Sequence, residues 1–184
     1  MRRLAFIVGI FAISAAAQSL DLSSLDKLAE KAKEVNQVNL DAGQLRAAMN
    51  MFSGADDEDA RQIRNVVSGI RSIQVRNLEF GDKGQYSKAD VDAIRAQVSK
   101  MPGWTKIVES REAEEHDEVY LLTQNEKVAG LAVIAAEPKE LTVVFINGSV
   151  SLNDLGKLHG VMGLPNIELG HDKTTPRPDS DKKK

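Results

Sequence analysis

The sequence predicts an α+β fold, with helices packed on one face of a mostly antiparallel sheet that ends in a four-strand meander and a C-terminal helix. Three observations predict it. Apolar residues recur mainly at helical spacing up to Met101. From Trp104 the period shortens to about two, as in strands. Short turn signals separate the strands, and connections that short make antiparallel hairpins rather than crossovers.

Residues 1–17 read as a secretory leader: Arg2 and Arg3, an apolar run from Leu4 to Ile13, then Ala15-Ala16-Ala17 before Gln18. Cleavage is expected between Ala17 and Gln18. The run is shorter than the roughly 20 residues that span a bilayer. The chain has no cysteine, which excludes a lipoprotein anchor, disulfides and Cys-bound metals. Export to the periplasm or medium with no stable membrane anchor is expected. Removing Arg2 and Arg3 leaves 22 basic against 27 acidic residues. That balance argues against nucleic acid as a partner, and the 4% aromatic content argues against stacking platforms.

A single α+β domain is expected over 18–170. Its first helix spans 20–35, started by Ser23 or Ser24, with Leu25, Leu28, Ala29 and Ala32 on one face. A short strand covers 35–40. A helix covers 44–52, with Leu45, Ala48, Met49 and Phe52 on one side. Asp56-Asp57-Glu58-Asp59 opens the next helix, its acids facing the positive helix end. Ile63, Val66, Val67 and Ile70 form the buried stripe. The acidic run lacks the alternating ligands and central glycine of a calcium loop.

Ile73, Val75, Leu78 and Phe80 suggest a strand with a bulge between Val75 and Leu78. Ser87 with Asp90 makes a capping box for a helix through Met101, and Pro102-Gly103 ends it. Strands follow at about 104–113, 117–124, 127–136 and 140–147. The third is nearly all apolar and reads as a central strand buried on both faces. Ser151 caps a last helix with Leu152, Leu155, Leu158 and Met162 inward. Residues 171–184 read as a disordered tail.

Chemistry-bearing residues are few. Glu114, His116 and Glu118 alternate along a strand and would share one face, offering oxygen and nitrogen metal ligands. The same stretch also reads as a solvated hairpin tip. His159 on the last helix could serve as a base only with a nucleophile nearby, and His171 begins the tail. Trp104 could anchor a ligand or pack in the core. No nucleophile elbow, zinc-protease helix or phosphate-binding glycine loop is present. No cofactor is expected.

The leader, the capped segment Leu22-Ser23-Ser24-Leu25-Asp26-Lys27-Leu28, the hairpins and the strand–turn–helix from Phe145 to Leu155 together resemble a bacterial family. It is catalogued as domain-of-unknown-function family 4252. The resemblance covers most of residues 20–162. It implies an exported envelope protein, often lipid-anchored, with genes often near those for extracytoplasmic sigma factors and their anti-sigma factors. The missing cysteine keeps the anchor from carrying over, and the family has no established active site to transfer. The expected function is a non-catalytic binding or regulatory module for a small ligand or an envelope protein partner. The alternative is a metal-dependent or acid/base hydrolase using His116 or His159 with nearby carboxylates.

Overall fold

The computed structural model describes residues 18–51, 61, 64, 65 and 67–149. A 3-10 turn, Ser23–Leu25, leads into the short helix α1, Asp26–Ala29. Then come β1 (Glu34–Leu40), α2 (Ala42–Met51), β2 (Ile70–Glu79), α3 (Lys88–Lys100), β3 (Trp104–Glu112), β4 (Glu115–Gln124), β5 (Lys127–Glu137) and β6 (Glu140–Gly148). The strands form one six-stranded sheet in the order β1-β2-β6-β5-β4-β3, every pair antiparallel.

Three parts of the expected fold are corrected. The sheet is not a four-strand meander. The hairpins β3 to β6 continue through β2 to β1, because Leu78 and its neighbours pair with Leu141 along the open side of β6. The helices do not share one face. The residues of α3 pack with Leu78, Ile134, Val143 and Phe145, whereas Leu45 of α2 packs with Ile73, Val75, Val133, Val144 and Ile146. Alternation along each strand separates the two sets, so the sheet is covered on both sides. The C-terminal helix does not close the described chain, whose last element is the strand β6. Residues 150–184, with the expected last helix, His159, His171 and the tail, lie outside the described residues. So do the leader 1–17 and residues 52–60, including the acidic run.

Smaller boundaries also move. The helix expected over 20–35 shortens to one turn plus α1. Side-chain amides take over the backbone bonds before it: Gln74 exchanges hydrogen bonds with Leu20 N–H and C=O, at 2.9 and 3.1 Å. Gln97 does the same for Asp21, at 2.8 and 2.9 Å. The bulge on β2 lies between Ile70 and Ser72 rather than between Val75 and Leu78. Leu78 and Phe80 face α3 while Ile73 and Val75 face α2, as a strand buried on both sides requires.

Local chemistry explains the elements that frame the α3 face. Ser87 accepts from Asp90 N–H, and Asp90 accepts from Ser87 N–H at 2.8 Å, so the capping box satisfies donors at the start of α3. Val91, Ile94 and Val98 recur at helical spacing and are buried. Trp104 stacks on Phe145 at 4.9 Å between ring centroids and lies over Gly130. A Cβ at Gly130 would come within 2.8 Å of the indole, so only glycine admits this packing. Asn125 and Glu126 both take positive φ, the backbone of the tight turn that joins β4 to β5.

Candidate functional site

At the hairpin corner of the α3 face, apolar packing gives way to charge. β4 presents His116 and Glu118 toward α3, and α3 sends down Arg95. β3 contributes Lys106, Glu109 and Arg111. Strand alternation alone cannot put Lys106 and Glu109 on one face, because they are three residues apart. A register shift between Lys106 and Val108 changes the parity. Lys106 then pairs with Tyr120, and Glu109 pairs with Glu118.

Glu118 is the centre. It is 1% exposed, an unusual place for a carboxylate unless it is paired. One oxygen, Oε2, accepts from Arg95 Nε and from the Tyr120 hydroxyl at 3.2 Å. The other, Oε1, accepts from Lys106 Nζ at 2.9 Å. The same Lys106 ammonium reaches Glu109 Oε2 at 2.5 Å, so it bridges two carboxylates. Glu109 Oε1 accepts from Arg111, and His116 Nε2 lies 3.3 Å from it. Arg95 also pairs with Asp92, which takes Lys88 at 2.5 Å.

Burial pushes the Glu118 carboxyl up, but the hydrogen bonds and charges of Arg95 and Lys106 outweigh it and hold it below the usual range. The Lys106 hydrogen bond is the main force lowering Glu109, whose pKa falls to about 2. Both acids are therefore anions at neutral pH. Lys106 is raised in turn, chiefly by its bonds to Glu109 and Glu118. Arg95 Nη2 stands 3.1 Å from His116 Nδ1. Arg111 Nε stands 3.3 Å from His116 Nε2, so each ring nitrogen faces an arginine donor, and Nε2 also faces Glu109.

One ligand atom each from Glu109, His116 and Glu118 lie within 4.8 Å of one another. Ligands about 2.0–2.2 Å from a transition metal can be at most ~4.4 Å apart, so a small contraction would let these three share an ion. Beside them opens a cavity of about 470 Å³, lined by Lys88, Arg95, Lys106 and Arg111 and also by acids, Glu114 and Glu115 among them. Of the trio expected from sequence, His116 and Glu118 come together and Glu114 does not. Glu114 sits on the tight β3–β4 turn, next to Ala113 at positive φ, and pairs with Lys83. Glu109 stands in its place. Two adjacent apolar residues, Ile107 and Val108, break the alternation of β3 and are the sequence sign of that bulge. Trp104 is a core residue, its indole N–H donating to Gln18 Oε1 at 2.7 Å.

The geometry defines an antiparallel α+β domain with a charged cleft at one corner of its sheet. The chain belongs to the family described as Domain of unknown function (DUF4252), which it matches over residues 27–158. No curated protein and no solved structure matches it. Among the described residues, no helix is long and apolar enough to cross a membrane.

Proposed function

We propose that this is an exported bacterial envelope protein, periplasmic or secreted, that binds a divalent metal ion through Glu109, His116 and Glu118. Metal-assisted hydrolysis is the reaction class the site would support. The leader pattern of residues 1–17 and the family support export. The observation that carries the site is the Lys106 ammonium, which already sits as a cation between two carboxylates, one of them buried. Two carboxylates and one imidazole suit manganese or zinc, and such an ion acts as a Lewis acid on a bound oxygen.

Magnitudes favour exchange of the resident cation. Lys106 is 35% exposed and Arg111 70% exposed. The pairs of Lys106 and Arg111 with the half-exposed Glu109 contribute about 0–1 kcal/mol each, whereas Lys106 would leave the buried Glu118 only as the ion takes its place, so that carboxylate keeps a cation throughout. The total, ~0–2 kcal/mol, weakens binding by up to about thirtyfold and leaves a divalent charge free to win. Arg95 stays on Glu118 and Asp92 and keeps the buried carboxylate aimed.

The test is thermal melting of chelator-treated protein with manganese, zinc and calcium. Manganese or zinc should raise the Tm, by mass action on the folded state. Glu118→Gln and His116→Ala should abolish the rise. An unchanged Tm with all three ions overturns the reading. A protein partner is the second reading, favoured by Ile107 and Val108, which lie exposed on the edge strand β3. The bulge and charges of that strand discourage strand addition, which ranks this reading below the first.

A further inference from the structure

We infer that the same cleft takes a small phosphate-bearing molecule, and that metal and phosphate bind cooperatively because they share Lys106 and Arg111. The inference rests on the proposed metal site. The cations of the cleft are paired with acids: Lys106 with Glu109 and Glu118, Arg111 with Glu109, and Lys88 with Asp92. An added anion therefore meets little free positive charge. A metal ion on Glu109 and Glu118 displaces Lys106 and Arg111 from those oxygens. Both side chains line the cavity, and both are tethered to it by β3.

The displaced pair, with the ion itself, turns a neutralised cleft into an anion site. An arginine fork and an ammonium together match the geometry and the roughly −2 charge of a phosphate monoester better than the single charge of a carboxylate. The cavity, about 470 Å³, is larger than a bare phosphate needs and falls within the range of small-molecule sites. Linkage makes the effect reciprocal: the ion tightens phosphate binding by the same factor as phosphate tightens ion binding.

Manganese binding to the full chain can be read from loss of the free-ion paramagnetic signal, with and without inorganic phosphate. Phosphate binding is then titrated calorimetrically with and without manganese. The expected result is coupling of about fivefold or more, equal in both directions. Arg111→Gln should bind manganese more tightly, since a competing cation is gone, yet lose most of the coupling. Manganese binding that ignores phosphate overturns this inference and leaves the metal site standing. No manganese binding at all overturns both. Equal coupling in wild type and Arg111→Gln, with Lys106→Met also unchanged, overturns the role given to the released side chains.

Discussion

Asp117 and Glu118 are neighbours on β4 that point to opposite faces of the sheet, and their carboxyls shift in opposite directions. Glu118 is held low by Arg95 and Lys106 against the pull of burial. Asp117 is pushed up by burial and by Glu115, and one of its buried oxygens has no hydrogen-bond partner. The difference lies in what covers them. The α3 side brings arginine and lysine to the corner, whereas the opposite side is packed with aliphatic residues such as Val119, Leu131, Val133 and Ile146. Among the described residues, one face of the sheet is packed mainly with aliphatic side chains. The other gives up apolar contact at one corner to hold charge.

The sharpest way to separate the faces is a pair of truncations. Ile146→Ala, on the aliphatic side and fully buried, should cost about 2–5 kcal/mol in urea unfolding with metal affinity unchanged. Arg95→Ala should cost about 3 kcal/mol by leaving a buried carboxylate with one partner fewer, and should weaken metal binding as well. Equal metal affinity in the two variants would erase the distinction.

Acid titration should show both sides at once. Glu109, Glu118 and Asp92 have lowered folded-state pKa values. Their stabilisation is complete above the ordinary carboxylate range and drains away as pH falls from about 4.5 toward about 2. Asp117 and Glu137 are raised and cost stability while charged. Stability should therefore rise slightly as pH first drops toward the ordinary range, then fall. A monotonic fall from neutrality, seen by urea midpoint, would contradict the Asp117 side. The smallest effect expected is Asp117→Asn, a gain below about 1 kcal/mol at neutral pH; a loss would show that its charge is compensated.

Much of the fold is legible in the chain. The four hairpin strands and the Ser87–Asp90 box are local patterns, and they form within a residue or two of their expected places. The short first helix is not legible, because Gln74 and Gln97 that clamp Leu20 and Asp21 lie more than 50 residues away. The choice of face for α2 is not legible either, since Leu45 and Met49 make the same stripe on either side. The spacing of Ile73, Val75, Leu78 and Phe80 already contained two buried faces, but a bulge explains the same slip. At the site, His116 and Glu118 are readable by alternation, while Glu109 depends on the parity change at Ile107.

The central claim is that Lys106 stands in for a divalent ion, and one titration tests it directly: manganese affinity of wild type, Lys106→Met and Glu118→Gln. Removing the resident ammonium should tighten manganese binding about fivefold, from roughly 1 kcal/mol of relieved competition, and Glu118→Gln should abolish binding. Unchanged or weaker binding in Lys106→Met, or undiminished binding in Glu118→Gln, would contradict the account.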